Sequence, residues 1–332
     1  KILSVLKIDE KRLPQDGRFT FTYGQNIVDL RISTVPTIFG EKVVMRLLPK
    51  STGAPSLLEL GLRGSSLKAL ESQLLRPHGI ILVCGPTGSG KTTTLYSILT
   101  KISTSKVNIV TIEDPVEYQI PGVNQVQVNT AVGLTFASAL RSFLRQDPNI
   151  IMVGEARDTE TAELAIQAAL TGHQVFSSVH TNSAAGAPPR LLDMGVEPFL
   201  LASALNAIMG QRVVRKICFH CKTEFAAPTE VIENIKSVLG KFLPASANTS
   251  VKLFKGRGCS FCGNTGYLGR IGIFEVLVVS EQVVKLILEH VSISAIEQAA
   301  VAAGMVTMKQ DGYLKVLEGI TTMEEVLRVA QD

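Results

Sequence analysis

The chain has 332 residues, 45% of them hydrophobic and 19% charged, with 33 Lys and Arg against 29 Asp and Glu for a net charge of +4. That length predicts two or three domains rather than one core. So weak a positive balance gives no support for a strongly basic nucleic-acid tract, leaving only a local patch open, and no apolar run reaches the ~20 residues needed to cross a bilayer.

The chain opens inside an apolar pattern (Ile2, Leu3, Val5, Leu6, Ile8) and begins at Lys1 with no initiator Met, which reads as a piece whose upstream part is missing. No signal peptide is legible. Residues 18–23, 28–34 and 42–47 have strand character, with Tyr-Gly-Gln-Asn at 23–26 as the first turn, and predict a small antiparallel unit. The Pro/Ser/Gly-rich stretch 49–57 reads as a linker.

From about residue 66 apolar runs at 79–84, 107–112, 149–153 and 174–179 alternate with helical stretches at 91–102, 134–146, 157–171 and 183–194. This alternation predicts an α/β core with a parallel-rich sheet covered on both faces. Ligands of such a sheet bind beyond the carboxyl ends of its strands. The expected boundaries are 1–49 for the amino-terminal region, 50–65 for the linker and 66–215 for the core. A cysteine module at 216–270 and a helical region at 271–332 complete the chain.

The first strand breaks into Gly85-Pro86-Thr87-Gly88-Ser89-Gly90-Lys91-Thr92-Thr93, the G-x-x-x-x-G-K-[ST] phosphate loop in its required strand–loop–helix setting. Glycines let consecutive N–H groups face phosphate oxygens, and the following helix N-terminus adds a favourable dipole. Lys91 is placed to reach the β- and γ-phosphates and Thr92 to ligate Mg²⁺. The chain is therefore expected to bind a nucleoside triphosphate.

The second strand ends in Glu113-Asp114-Pro115-Val116-Glu117, and hydrolysis needs a group that orients water. Glu113 is the expected water-orienting acid, supported by Asp114 and Glu117. An acidic solvated turn would have the same composition. The third strand delivers Glu155 in the Walker B position, for Mg²⁺ or for the nucleophile, although a helix cap there is equally served by Asp158 and Thr159. His180 follows the fourth strand on the nucleotide side, whereas His173 lies at its opposite end. Arg141 and Arg145 share one helix face, and Arg31 and Arg46 lie in the amino-terminal unit. Spacing alone makes these four ordinary surface charge.

Cys218-x-x-Cys221 and Cys259-x-x-Cys262 are two hooks 37 residues apart, suited to a closed, structural Zn²⁺ site of four thiolates. Redox dithiols or free thiols are the alternatives. Cys84, on the buried strand, reads as core.

The ordered set of segments RLPQDGR (12–18), RISTVPT (31–37), GPTGSGKTT (85–93), TIEDPVEY (111–118), RQDPNIIMVGEARD (145–158), TGHQVFSSVHTN (171–182), RLLDMG (190–195) and TGYLGRIGIFEVL (265–277) resembles the secretion ATPase family. These are the motors of type II secretion and type IV pilus systems, and the paired cysteine hooks are similar to those of the assembly branch. The resemblance implies a RecA-like core and a partial, PAS-like amino-terminal α+β domain. It also implies an Asp box with Glu113, a Walker B box with Glu155 and a His box with His180. Arg31 and Arg46 would be arginine fingers, with Arg141 and Arg145 assisting near the nucleotide.

It further implies a homohexamer using ATP, Mg²⁺ and structural Zn²⁺ to drive pilin or pseudopilin assembly. Its partners would be a polytopic inner-membrane platform protein and a cytoplasmic docking protein. The chain would then be cytoplasmic and held at the inner membrane only through partners. Against the family pattern the sequence reads as lacking the most amino-terminal domains and part of the second, with docking to membrane partners expected to be impaired, and Pro188-Pro189 interrupts a segment that is helical in the family. A nucleic-acid translocase is the competing class; the low net charge and the absence of Trp argue against it. A ring scaffold that binds nucleotide without hydrolysis is disfavoured by the two acidic boxes.

Overall fold

A computed structural model describes residues 1–24, 26–49, 53–244 and 251–330. The chain divides into two units, Lys1–Ala54 and Pro55–Asp332. In the first, β1 (Gln15–Tyr23), β2 (Asn26–Thr37) and β3 (Gly40–Pro49) form an antiparallel sheet in the order β1-β2-β3. Alternation sends Leu30, Ile32 and Thr34 of the central strand to a buried face. Arg31 falls on the other face, directly between Arg18 of β1 and Arg46 of β3. The expected turn at 23–26 and the expected linker at 50–65 both include residues outside the described ones.

The second unit is built on a seven-stranded sheet of order β12-β9-β4-β8-β7-β5-β6. Four of its strands are β4 (Gly79–Cys84), β5 (Ile109–Glu113), β7 (Ile150–Val153) and β8 (Gln174–Val179), all wholly buried and mutually parallel where they pair. Continuous burial on both faces is why these segments read as unbroken apolar runs. Three further strands were not legible in the sequence: β6 (Asn124–Gln127), β9 (Leu205–Ile217) and β12 (Tyr267–Val278). β6 is four residues with a single apolar side chain, too little for a pattern. β9 carries buried Asn206 and Gln211, which disguise it.

β9 pairs with β4 on one side and with antiparallel β12 on the other. The expected boundaries at 215/216 and 270/271 therefore cut through paired strands. β12 carries Ile271–Val278 into the sheet, so the region after 270 is not wholly helical.

Helices cover the sheet, and their starts are chemically marked. In α1 (Gly64–Leu74) Leu70 is fully buried. α2 (Lys91–Ile102) follows the phosphate loop directly. α3 (Phe136–Phe143) opens with a reciprocal capping box between Thr135 and Ser138. α4 (Thr159–Leu170) is capped by Asp158, whose Oδ1 accepts the Thr161 N–H at 2.8 Å. In α5 (Ala187–Asp193) the prolines 188 and 189 sit in the first turn, where a missing N–H costs nothing. The expected interruption is thus a helix start. Short α6 (Pro198–Ala204) leads into β9.

The 37-residue gap between the cysteine hooks folds into β10 (Lys222–Phe225), α7 (Thr229–Leu239) and β11 (Leu253–Gly256), with β10 and β11 antiparallel. Its core is shared with the terminal helices: Ile235, Leu239 and Leu253 cluster with Tyr313, Val316 and Val326. Four C-terminal helices complete the unit, α8 (Glu281–Leu288), α9 (Ile293–Ala302), α10 (Met308–Leu317) and α11 (Met323–Val329). Ser280, Ser292, Thr307 and Thr322 accept the capping bonds at their starts. No helix among the described residues is long and apolar enough to cross a membrane.

Candidate nucleotide site and cysteine centre

The phosphate loop turns on glycines in the left-handed region, with φ of 151° at Gly85, 80° at Gly88 and 88° at Gly90. At Gly85 space also forbids a side chain, because a Cβ would lie 2.5 Å from the Gln211 carbonyl oxygen. Gln211 is a support that sequence reasoning missed. Its Oε1 accepts the Thr94 hydroxyl at 2.8 Å, and its Nε2 lies 2.9 Å from where a Gly90 Cβ would be. No local motif announces it, since its partners come from the sheet pairing of β4 with β9.

Lys91 Nζ donates to the loop's own carbonyls, Gly85 O at 2.9 Å and Pro86 O at 3.2 Å. Burial pulls its pKa below the usual lysine range, while the Glu155 carboxylate favours the cation. An ammonium held against its own loop is well placed to transfer to phosphate oxygens. Thr92 is exposed at the start of α2, Thr93 is half-buried and the Ser89 hydroxyl is buried without a partner.

The acidic tips of β5 and β7 are adjacent, Gly154 N–H donating to Ile112 O at 2.8 Å. Their carboxylates nevertheless sit in different surroundings. Glu113 is only 2% exposed, and its oxygens accept from Tyr96 Oη, from Thr111 Oγ1 at 2.6 Å and from Gln125 Nε2 at 3.1 Å. Burial raises its pKa, partly countered by those donors. Three donors thus already occupy this carboxylate, leaving about one acceptor position for a water it would orient.

Glu155 meets His180 Nε2 and Arg157 Nε, each at 2.8 Å. It remains at the sheet's carboxyl edge, half-buried and within electrostatic reach of Lys91. The helix-capping role falls to Asp158. Ser178 Oγ donates to Gly154 O at 2.7 Å, tying the tip of β8 below His180 to the tip of β7 below Glu155. Sequence reading thus named Lys91, Glu155 and His180 separately, and the sheet brings them together.

The arginines are less closely gathered. Arg141 pairs with Glu160 in the first turn of α4, and Arg145 Nη1 donates to the Arg141 carbonyl at 2.9 Å; both are exposed. Arg31 and Arg46 are cross-strand neighbours in the first unit. His173 bonds through Nδ1 to the Ala168 carbonyl at 2.9 Å, an end-of-helix contact away from the strand tips. Burial pushes the Cys84 thiol up to about 12, as expected of an inert core cysteine.

The four cysteines converge, and their Sγ atoms all lie within 4.8 Å of one another. Cys218–Cys259, Cys221–Cys262 and Cys259–Cys262 are separated by 3.8, 3.9 and 3.6 Å. A tetrahedral zinc with arms of about 2.3 Å has edges of about 3.8 Å, so this donor set fits Zn²⁺ in type and size. Burial opposes a Cys262 thiolate, but the N–H groups of Cys259 and Gly266 outweigh it and bring this thiol down to about 6.

A family model described as "Type II/IV secretion system protein" matches residues 1–328. The chain is 50% identical to the type IV pilus assembly ATPase PilB of Thermus thermophilus over 98% of its own length and 36% of that protein. It is also 50% identical to the type II secretion system protein E of Xanthomonas campestris pv. campestris, over 100% of the chain and 58% of the relative. It therefore spans between about a third and three fifths of these two relatives. Among solved structures, the pilus retraction motor PilT with bound ADP shares a TM-score of 0.70 and 30% identity, covering 97% of this chain and 78% of that one.

Proposed function

The chain belongs to the type II/IV secretion system protein family, and on that premise we propose that it hydrolyses Mg-ATP as the motor of a type II secretion or type IV pilus assembly system. The observation that carries the reading is the contact of His180 with Glu155 at the carboxyl edge of one parallel-rich sheet, within electrostatic reach of Lys91 in the phosphate loop. The names of PilB, an assembly ATPase, and of PilT with its bound ADP support the nucleotide and the activity.

In this reading the amides of 85–93 and Lys91 bind the triphosphate. Glu155 accepts the proton of the attacking water as its oxygen bonds to the γ-phosphorus and the bond to the β-phosphate oxygen breaks, releasing ADP and phosphate. His180 holds the Glu155 carboxylate in place and senses the γ-phosphate side. Glu113 acts as a buried brace that fixes the tip of β5 through Tyr96, Thr111 and Gln125. Thr92 and Glu155 would hold Mg²⁺, which neutralises phosphate charge when bound.

The family resemblance supports a homohexamer in which Arg31 and Arg46 act as arginine fingers and Arg141 and Arg145 assist at the nucleotide. It likewise supports coupling to pilin or pseudopilin assembly through an inner-membrane platform protein and a cytoplasmic docking protein. The location would be cytoplasmic, at the inner membrane through those partners. Cys218, Cys221, Cys259 and Cys262 would hold a structural Zn²⁺ in the cysteine centre.

Steady-state phosphate release tests the reading under conditions of oligomer formation. Lys91→Ala should abolish it, and Glu155→Gln should abolish it while preserving ATP binding. Undiminished turnover in both variants would reject the assignment.

A further inference from the structure

β9 passes beside the phosphate loop and carries side chains alternately to its two faces. Gln211 and Val213 face Gly90, whereas Gly210 and Arg212 fall on the opposite face. On that face Arg212 Nη2 donates to Asn182 Oδ1 at 3.1 Å and to Asn182 O at 3.4 Å. Glu275 of β12 packs over Gly210, where a Cβ would lie 2.6 Å from its Oε1, and this oxygen accepts the Ala184 N–H at 2.6 Å.

Asn182 and Ala184 belong to the short connection after β8 that begins with His180 and ends where α5 starts. Residues 180–186 belong to no helix or strand. Inside the connection Thr181 Oγ1 donates to Ser183 O at 3.0 Å. A second internal bond runs from the Gly186 N–H to Ser183 O at 3.2 Å, and the outside contacts are the Arg212 guanidinium on Asn182, the Glu275 carboxylate on Ala184 and the Cys84 thiol on Thr181. The position of His180 Nε2, 2.8 Å from Glu155 Oε1, depends on that connection.

We propose that Arg212 is a positioning residue for hydrolysis, holding the 180–184 connection through Asn182 so that His180 keeps Glu155 aligned. The proposal rests on the hydrolytic reading of the site. Arg212 acts on the loop and does not bind the nucleotide itself. Loss of the anchor lets His180 drift from Glu155, so the chemical step slows while the phosphate loop still binds ATP.

A double-mutant cycle tests this with the whole chain: wild type, Arg212→Ala, Asn182→Ala and the double variant. The readouts are kcat and KM for Mg-ATP and the Kd of a non-hydrolysable ATP analogue. Each single variant should lose about tenfold or more in kcat with Kd changed less than about threefold, and the double variant should fall no further than the worse single one. Losses that multiply, or a Kd that rises with the kcat loss in Arg212→Ala alone, would place the guanidinium on the nucleotide and overturn the proposal. An unchanged kcat in Arg212→Ala would overturn it as well.

Should Arg212→Ala fail to fold, Arg212→Lys replaces it in the cycle, with the same non-additivity against Asn182→Ala required. A wild-type chain that binds the analogue but hydrolyses nothing would instead sink the functional reading, a distinct outcome.

Discussion

Nε2 of His180 lies 2.8 Å from Oε1 of Glu155, joining residues that follow two neighbouring parallel strands, β8 and β7. The contact makes Glu155 the carboxylate held ready at the sheet edge. Glu155 meets exposed partners, His180 on one oxygen and Arg157 on the other, whereas Glu113 accepts from three enclosing donors, Tyr96, Thr111 and Gln125.

The two glutamates should therefore separate experimentally. Glu155→Gln should lower kcat by about 10²–10⁴ with little change in stability. Glu113→Gln should cost less than tenfold in kcat but about 1–3 kcal/mol in stability, because it disturbs a buried hydrogen-bonded network. Phosphate release and thermal melts on both variants check this. A larger kcat loss at Glu113 with unchanged stability would return the water-orienting role to it.

The cysteine centre should carry one zinc per chain, measurable by atomic emission. Cys262→Ser should lose the metal and several kcal/mol of stability, since binding to such a site is coupled to folding. β9 runs without a break from Gln211, which supports the phosphate loop, to Ile217 beside Cys218. Zinc loss should accordingly lower ATP turnover as well as the melting temperature.

In the first unit Arg31 is in register with Arg18 on one side and Arg46 on the other. Like charges directly opposite one another are unfavourable in a sheet, and an anion brought against Arg31 and Arg46 would offset that repulsion. Arg31→Ala and Arg46→Ala should each lower kcat by about 10³ in the oligomer, with ATP affinity of the phosphate loop unchanged. Single-turnover hydrolysis beside nucleotide titration reads both quantities, and equal kcat in variant and wild type would remove the finger role.

Glu325 offers a pH test. Burial works against its charge, but hydrogen bonds from Arg328 and from the Arg215 guanidinium and backbone N–H hold its pKa down to about 2, against 4.5 ordinarily. A depressed carboxylate pKa means stabilisation that is fully present above 4.5 and lost as pH falls toward 2. With both arginines half-exposed, the contribution is about 1 kcal/mol or less. The stability gap between wild type and Glu325→Gln should be constant from pH 6 to 8 and shrink progressively below about pH 4.5. A gap independent of pH would contradict the ion pairing.

Local chemistry made much of this readable in the sequence. The phosphate loop is legible because its glycines meet a backbone requirement within nine residues. The paired Cys hooks are legible because thiolate spacing is itself the coordination constraint. β4, β5, β7 and β8 show as apolar runs because both their faces are buried. What escaped reading depends on distant pairing. Gln211 and Arg212 matter only because β9 lies against β4, and nothing near them in the chain says so. The enclosure of Glu113 needs Tyr96 from α2 and Gln125 from β6, a strand too short to show a pattern. The prolines 188 and 189, read as an interruption, are tolerated because they fall in the first helical turn.

The most direct test is a structure of the chain with Mg²⁺ and a non-hydrolysable ATP analogue. Lys91 Nζ should leave the Gly85 and Pro86 carbonyls, where it now sits at 2.9 and 3.2 Å, for the β- and γ-phosphate oxygens, with Glu155 within one water of the γ-phosphate. A nucleotide bound elsewhere, with Lys91 still folded onto its own loop, would contradict the account.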